Sequence, residues 1–493
     1  MEVLVLEQLM EIVNMVSKVL WDYILIFGLM GIGILMTIRL KFPQFSRVLP
    51  ALKKMITGII KNEKPEDGKM TPFQALSTAV AAQVGTGNIV GVATAIASGG
   101  PGAAFWMLLA AFFGMATIFS EAVLAQKYRE EKNGELVGGP AYYMKNGLKS
   151  KGLAKFFAIT AAIGLGVVGV MVQSNSIAGA VNSAFGVPTT IITVALALIV
   201  FKILIGGMDS IAKFSEKVVP VMALMYILGS LIIIVFNLNN LVPAVKSIFI
   251  GAFTPQAIGG GALGITIQQT VRFGLARGLF SNEAGLGSTP HSHAVADTTH
   301  PAEQGFVAMI GVFISTFLIC LSTVMVNITS GSYNATISAS KMAESATIMT
   351  QNGFYSVFGN FGAMFLAICL SFFSLTTIVG WYFFAEANVK FLFSSKKSTL
   401  TFFKIISVLA LSVGTFINPT YIWQLVDLFT GLMALPNIIT LFILSSEVKE
   451  VLYDYDRCNK QGFIHWEYAY QNIEKKEKKH KRLKSGLSTT IIK

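Results

Sequence analysis

The sequence predicts an all-α polytopic membrane protein with about eleven transmembrane helices. Three observations predict this class: an apolar composition, a regular succession of apolar runs, and a one-sided distribution of basic residues. Hydrophobic residues make up 53% of the 493 residues and charged residues only 13%, whereas soluble domains carry about 25% charged residues. A surface of this composition suits a lipid bilayer.

The apolar runs have the length of membrane spans. An α-helix rises 1.5 Å per residue, so about 20 residues cross a hydrocarbon core of ~30 Å. Eleven such runs occur, at 20–40, 72–98, 103–126, 156–184, 189–207, 214–236, 258–288, 303–330, 355–388, 401–417 and 419–446. They leave no room for a soluble domain of useful size.

The net charge of +12 reflects membrane topology and not binding to nucleic acid. Basic residues concentrate in cytoplasmic loops, and here the segments 39–69, 127–155 and 449–493 hold eight, seven and eleven of the 38 Lys and Arg. The loops on the opposite side hold only Lys18, Lys246 and Lys341. The distribution places the N-terminus outside and the C-terminus in the cytoplasm of a cell-membrane protein.

The chain is expected to divide into four parts. Residues 1–71 form a transmembrane helix and a basic cytoplasmic loop, 72–240 a first five-helix repeat, 241–446 a second repeat, and 447–493 a basic cytoplasmic tail. Because five spans is an odd number, the second repeat enters the membrane inverted relative to the first. Nothing in the residues indicates an oligomeric state.

The opening span of the first repeat is interrupted by glycine and polar residues. Gln83 precedes Gly85-Thr86-Gly87-Asn88 deep within the run. Close helix packing through Gly87 and Gly91 is the alternative explanation. A polar group at this depth is costly unless it is used or paired, and a broken helix is tolerated only against protein or a cavity.

The opening span of the second repeat is interrupted in a similar way. Arg277, Ser281, Asn282 and Glu283 lie between Gly278 and Gly285, so this segment is expected to form a gate or a binding surface. The alternative is an ion pair between Arg277 and Glu283 that closes the cytoplasmic side. Interrupted segments at matching positions of two inverted repeats indicate the binding site of a secondary transporter. Their free N–H groups and carbonyls suit the two charges of a zwitterion.

Two further spans carry polar residues at mid-depth. The Gln173 amide in the fourth span can bind either end of a zwitterion, although it could equally bond a neighbouring helix. The hydroxyls of Thr376 and Thr377 in the ninth span are ligands that a hard cation accepts. Such hydroxyls often bond only the preceding turn of their own helix.

Other titratable residues carry weaker signals. Glu121, Glu386 and Asp427 lie in or near spans and could relay protons, but Glu121 and Glu386 fall near expected cytoplasmic ends, where charge is hydrated. His291, His293 and His300 are expected in a cytoplasmic loop and not at a metal site, since no cysteines or paired carboxylates accompany them. No Ser/His/Asp set or metal cluster at membrane depth supports an enzyme.

At these motifs the chain resembles the alanine or glycine:cation symporter family. The resemblance runs from about residue 20 to 446. It rests on Thr78-Ala-Val-Ala-Ala-Gln-Val-Gly-Thr-Gly-Asn-Ile89, Gly138-Gly-Pro-Ala-Tyr-Tyr-Met144, Arg277-Gly-Leu-Phe-Ser-Asn-Glu-Ala-Gly-Leu-Gly-Ser288 and Thr376-Thr-Ile-Val-Gly-Trp381. It implies sodium-coupled uptake of alanine and glycine by a leucine-transporter-type 5+5 inverted repeat with one extra N-terminal helix.

The resemblance also implies a set of site residues. Substrate contacts are expected from Gln83, Gly85, Thr86, Gly87, Asn88, Gln173, Phe280, Ser281 and Asn282. The co-transported sodium ion is expected at the carbonyls of Ala81 and Val84 and the hydroxyls of Thr376 and Thr377. Family members commonly carry Ser-Thr at the latter pair and a small residue or Thr at the position of Gln83. Proton coupling through Glu283 and Asp427 is the rival mechanism, and a channel or sensor is a rival class.

Overall fold

The computed structural model describes residues 2–61, 65, 68–132, 134–257, 264–333, 342–393 and 396–461. The basic cluster from Lys475 to Lys484, Lys341, and the first residues of the run at 258–288 lie outside the described residues. Within them the chain is almost entirely helical, with two short antiparallel strand pairs, Glu130–Lys132 with Glu135–Val137 and Gln256–Ala257 with Gly264–Ile265.

The helices, numbered in chain order, are α1 (Glu7–Arg39), α2 (Pro43–Ser46), α3 (Val48–Ile60), α4 (Pro72–Gln83), α5 (Gly87–Gly99), α6 (Ala103–Lys127), α7 (Pro140–Asn146), α8 (Lys151–Phe185), α9 (Thr189–Ile205), α10 (Gly207–Phe236), α11 (Leu241–Gly251), α12 (Ile267–Asn282), α13 (Pro290–Ala294), α14 (Pro301–Thr329), α15 (Met342–Phe358), α16 (Asn360–Phe393), α17 (Lys397–Gly414), α18 (Pro419–Ile443) and α19 (Ser445–Lys460).

Among the described residues, eight helices are long and apolar enough to span a membrane, and the bent pair α4 and α5 makes a ninth span if counted as one. Helix α9 is a shorter apolar helix, and α12 has 16 residues and carries two arginines. The chain is therefore a mostly helical, multi-pass membrane protein.

The two interrupted spans begin with the same helix-capping motif. At the start of α4 the Thr71 hydroxyl accepts from the Gln74 backbone N–H, and the Gln74 side chain accepts from the Thr71 N–H. Thr266 and Gln269 repeat this capping box at the start of α12. A capping box satisfies N–H groups that a helix start leaves unbonded.

Both spans then break in the protein interior. The axes of α4 and α5 meet at 55° across the residues between Gln83 and Gly87. Helix α12 ends at Asn282, and Glu283, Gly285 and Gly287 all have positive φ, of 57°, 86° and 84°. Positive φ is a conformation that glycine adopts without strain, so the glycines here set the path of the backbone from α12 to α13.

The interrupted helices are enclosed by others. Helix α4 packs against α10, α14 and α16, and α12 packs against α5 and α6. The α12–α6 contact is close because glycine faces it: a Cβ on Gly274 would overlap the Ala103 carbonyl oxygen, and one on Gly278 would lie 3.0 Å from the Met107 Cα.

We expect Gly274→Ala to lower the thermal stability of the purified protein. The added methyl group meets backbone and so cannot be accommodated by a side-chain rotation, and such overpacking costs about 1–3 kcal/mol. The measurement is the unfolding temperature in detergent. Gly152→Ala is the control, because nothing lies within 4 Å of a Cβ there. Equal unfolding temperatures for both variants would contradict the packing described.

Candidate functional site

The first break is fixed by side chains that replace missing helical bonds. Val84 leaves the helical conformation with φ −106° and ψ 88°, and the next N–H, of Gly85, donates to Asn88 Oδ1 at 3.0 Å. A Cβ on Gly85 would lie 2.5 Å from the Thr377 hydroxyl oxygen. Glycine is therefore required here for the close approach of α16 to the break.

Gln173 of α8 reaches the same turn. Its Oε1 accepts from the Thr86 N–H at 3.3 Å, and the side chain is buried. The amide predicted to lie at mid-depth thus contacts the first broken span. The next two residues, Ser174 and Asn175, instead bond carbonyls of α17 and of the loop after it. They have the interhelical role that was the alternative for Gln173.

The two broken spans are joined by hydrogen bonds. Asn88 Nδ2 donates to the Ser281 hydroxyl at 2.8 Å, and Gln83 Nε2 donates to the Asn282 carbonyl at 2.8 Å. The Phe280 ring covers Gly87, where an added Cβ would lie 3.3 Å from the ring. Residues 193 and 199 positions apart in the chain, on two separate spans, thus form one buried surface.

Three polar atoms at this surface have no hydrogen-bond partner among the described residues: Gln83 Oε1, Thr86 Oγ1 and Asn282 Nδ2. All three belong to buried side chains. Leaving a buried polar group unbonded costs about 1–3 kcal/mol. An acceptor, a hydroxyl and a donor can together bind both an ammonium and a carboxylate.

The Thr377 hydroxyl lies among backbone carbonyls at the end of α4. Its Oγ1 is 3.0 Å from the Ala81 oxygen, 3.2 Å from the Val84 oxygen and 3.4 Å from the Ala82 oxygen. One hydroxyl has a single proton to donate, so most of these close oxygens are not bonded to it. A cluster of neutral oxygens is the ligand type that hard cations prefer.

Thr376 lies apart from this cluster. Its hydroxyl donates to the Phe373 carbonyl at 2.9 Å and contacts the Met222 sulfur at 3.4 Å. Both hydroxyls lie within 3.0 Å of the Phe373 carbonyl of their own helix, but successive residues of a helix point about 100° apart, and only the Thr377 hydroxyl also faces the carbonyls at the end of α4. Of the pair, only Thr377 is at the break.

The alternative for this segment, an ion pair between Arg277 and Glu283, is not found: each residue has a different partner. Arg277 lies 3.8 Å from Asp427 of α18 and over the rings of Phe280 and Trp423. Glu283 accepts from the Trp381 indole N–H at 2.7 Å and from the Ser288 hydroxyl. Arg277 therefore joins α12 to α18, whereas Glu283 joins the loop after α12 to α16.

The expectation that Glu121 lies where charge is hydrated is also wrong. The carboxylate is fully buried and accepts from the backbone N–H groups of Gly285 and Gly287 at 2.9 and 3.0 Å. Asn437 of α18 donates to it as well. Glu121 thus holds the unwound segment after α12, where a carboxylate can accept several N–H bonds at once. The signal missed was an acidic residue inside an apolar run.

The segment that carries the three histidines is packed inside the protein, since His291, His293 and His300 are all buried. Burial lowers the pKa of His291 to about 4, so its ring is neutral at pH 7. Nδ1 lies 2.6 Å from the Ser288 carbonyl and Nε2 lies 2.9 Å from the Asn388 amide. Among the described residues there is no group of three side chains that could hold a metal ion.

The Gly138-Gly139-Pro140 motif explains this burial. A Cβ on Gly139, whose φ is 118°, would lie 2.6 Å from the His291 ring, and one on Gly138 would lie 2.5 Å from the Ala294 Cβ. The two glycines let the loop before α7 pack directly on α13. The motif therefore positions α13, and through it the loop that carries Glu283.

We expect Glu121→Gln to destabilise the fold. A glutamine replaces one acceptor oxygen by an NH2 group, which faces an N–H of the unwound segment or the Asn437 amide, and an unsatisfied buried donor costs about 1–3 kcal/mol. The unfolding temperature in detergent measures the effect. Glu131→Gln, on an exposed residue, is the matched control, and an equal unfolding temperature for both variants would contradict the role given to Glu121.

Comparison with known proteins agrees with the motifs. A sodium/alanine symporter of Methanococcus maripaludis is 40% identical over 450 residues, covering 89% of this chain and 95% of that protein. An amino-acid carrier protein of Bacillus subtilis is 37% identical over 454 residues, covering 92% and 93%. Among solved structures, a manganese transporter of Eremococcus coleocola matches with a TM-score of 0.40 and 13% identity over 80% of this chain and 76% of that one. That structural likeness is too low to carry an argument.

The model of the sodium:alanine symporter family matches residues 6–468. The matched residues include both broken helices, Gln173 and Thr377. The match covers nearly the whole chain, and the members of this family are transporters and not enzymes. The chain belongs to the sodium:alanine symporter family.

Proposed function

We propose that this protein takes up small neutral amino acids, alanine or glycine or both, by sodium-coupled symport. The observation that carries the proposal is the position of the Thr377 hydroxyl against the Ala81 and Val84 carbonyls. It joins two helices through oxygens alone, at the point where the α4 backbone is interrupted. Membership of the family and the name of the Methanococcus maripaludis relative support sodium as the co-transported ion.

The proposed architecture has eleven spans. To the eight long helices and the broken span α4–α5 it adds α9 and α12, which are shorter. Helix α1 then precedes two inverted repeats of five, in a leucine-transporter-type arrangement, with the N-terminus outside and the C-terminus in the cytoplasm. The identical capping boxes at the starts of α4 and α12 support the correspondence of these two helices.

In this proposal the amino acid binds between the two breaks. The carboxylate faces N–H groups at Gly85, Thr86 and Gly87, where α5 begins and its positive end points inward. The ammonium faces Gln83 Oε1 and carbonyls near Ser281 and Asn282, while Gln173 and Asn88 hold the turn. Phe280 closes the surface over Gly87, so only a small side chain fits beside it.

Sodium would drive transport by differential binding. An ion held by Ala81, Val84 and Thr377 attaches the end of α4 to α16, and so stabilises the state in which the break is formed. A ligand shifts a conformational equilibrium only by its difference in affinity for the two states. Amino-acid binding then joins α5 to α12, and movement of these helices relative to α8 and α16 opens the site to the other side.

We expect Thr377→Ala to weaken the sodium dependence of uptake. Loss of one ligand oxygen, worth about 1–1.5 kcal/mol, corresponds to roughly a tenfold higher sodium concentration for half-maximal uptake. The measurement is alanine uptake into proteoliposomes over a range of sodium concentrations. Thr377→Ser, which keeps the hydroxyl, should restore the dependence, and Ser371→Ala is the control on the same helix. Unchanged sodium dependence in Thr377→Ala would refute the assignment.

Proton coupling is the second candidate mechanism. The observation that favours it is the pair of buried carboxylates, Glu121 and Glu283, whose bonding partners in the described part of the chain are neutral N–H and O–H groups. Asp427, which was also considered for this role, lies beside Arg277.

A comparison of driving gradients decides between the two mechanisms. We expect alanine to accumulate in proteoliposomes under an inward sodium gradient at equal pH on both sides, because the oxygens around Thr377 suit a cation and bear no titratable group. Accumulation under an inward proton gradient without sodium, abolished by Glu283→Gln, would select proton coupling instead. Counterflow against unlabelled glycine, serine and glutamine would then define the substrate.

A further inference from the structure

Helix α3 has a surface that transport does not account for. It follows α1 by eight residues and packs one face on the protein, with Val48, Ala51, Leu52 and Met55 half-buried. This face lies against α14, and Lys54 forms an ion pair with Glu303 in the first turn of α14.

A second face of α3 is apolar and exposed. Leu49, Ile56 and Ile60 are 73%, 45% and 78% exposed. At about 100° per residue these three side chains fall within roughly 40° of one another and about 100° from Val48, at the centre of the packed face. The short helix α2, just before α3, also exposes an apolar side chain, that of Phe45, which is 77% exposed.

The third face is basic. Lys53 and Lys61 are exposed and lie beyond the apolar stripe, on the side away from the packed face. The apolar stripe is thus flanked by protein on one side and by lysines on the other. An amphipathic helix that lies in a membrane interface has this order of faces, with its apolar side in the acyl boundary and its basic side among headgroups.

We propose that α3 is an interfacial helix that inserts Leu49, Ile56 and Ile60 into the cytoplasmic leaflet and binds anionic lipid headgroups through Lys53 and Lys61. The position supports lipid as the occupant: α1 ends at Arg39, so α2 and α3 begin where that span leaves the bilayer. The charge supports anionic lipid, since the cytoplasmic leaflet attracts basic segments close to its surface.

The packed face connects this lipid contact to the inner end of the proposed pathway. Helix α3, the start of α4 and the start of α14 line a cavity of about 750 Å³, which also contains Glu216. Gln74 of α4 donates to Glu216 across it. Because the Lys54–Glu303 ion pair joins α3 to α14, a lipid surface that holds α3 in place also favours one position of the starts of α4 and α14. This coupling rests on the proposed transport function, whereas the lipid contact does not.

Site-directed fluorescence tests the lipid contact without a transport assay. The three cysteines of the chain are buried, so an environment-sensitive dye can be placed on Ile60→Cys or Leu49→Cys. Thr57→Cys, on the opposite side of the apolar stripe from the protein, is the matched control. In nanodiscs we expect a blue-shifted emission that nitroxide-labelled lipid quenches at Ile60→Cys and Leu49→Cys, and much less at Thr57→Cys. Equal quenching at all three positions, or a blue shift that lipid does not quench and that signals burial by a second protein copy, would overturn the proposal.

The lysines are tested by headgroup dependence. In the full chain labelled at Ile60→Cys, phosphatidylglycerol should increase the quenching relative to phosphatidylcholine alone, and Lys53→Gln with Lys61→Gln should remove the increase. Lys151→Gln with Lys155→Gln, exposed residues of α8, is the control for a general loss of basic charge. An undiminished increase in the α3 variant, or an equal loss in the control, would overturn the role of these lysines.

A transport assay measures separately whether the lipid contact of α3 affects the transport pathway. Alanine counterflow should change by about threefold or more with phosphatidylglycerol content in the unmodified protein, because anionic headgroups attract lysines near the membrane surface. This response should be smaller in the α3 variant. Unresponsive counterflow together with the expected quenching would overturn the coupling. Absence of any alanine transport, with the quenching intact, would refute the proposed function and leave the lipid contact standing.

Discussion

A backbone that leaves the helical conformation inside an apolar environment must find other hydrogen-bond partners, and the rest of this structure depends on how two spans meet that requirement. Water is absent from the hydrocarbon core, so partners have to come from protein. At the first break they are Asn88 and Gln173, whose side-chain oxygens accept from Gly85 and Thr86. At the second they are Glu121 and Asn437, which bond the residues after Glu283. Each break therefore fixes the position of helices distant in the chain.

The two breaks are stabilised with different chemistry. The first break is bonded by the neutral amides of Asn88 and Gln173 and by the Ser281 hydroxyl. Each of these hydrogen bonds is weak enough for a bond to a ligand to replace it. The buried carboxyl group of Glu121 holds the loop of the second, because it accepts from two backbone N–H groups and from the Asn437 amide. The loop also contains Glu283, bonded to Trp381. In the proposed mechanism the first break is therefore the part that binds ligand, and the second loop is the part that supports it.

The sequence identified much of this arrangement from local signals. Glycines next to polar residues in an apolar run indicated both breaks, because few other patterns justify the cost of polar atoms at that depth. Gln173 and Thr377 were found by the same criterion, and both lie at the first break.

The errors concern partners, which a sequence does not specify. Arg277 and Glu283 are six residues apart and of opposite charge, yet α12 ends between them, so their side chains diverge toward α18 and α16. Glu121 was placed near water because it falls near the expected cytoplasmic end of its apolar run, and its burial depends on α18 and the loop after α12. Thr376 and Thr377 were treated alike although a helix points neighbours in different directions. Interactions between distant helices decided each case.

The capping boxes have a mechanical consequence. The membrane-surface ends of α4 and α12 are capped by residues at the start of the same helix, Thr71 with Gln74 and Thr266 with Gln269, so these caps stay intact when the helix tilts. At the buried break, by contrast, the Thr86 N–H donates to Gln173 of another helix, α8. In the proposed mechanism, a carboxylate that shares this N–H with Gln173 would weaken the bond between α8 and α5, so occupancy of the site would let one helix slide past the other.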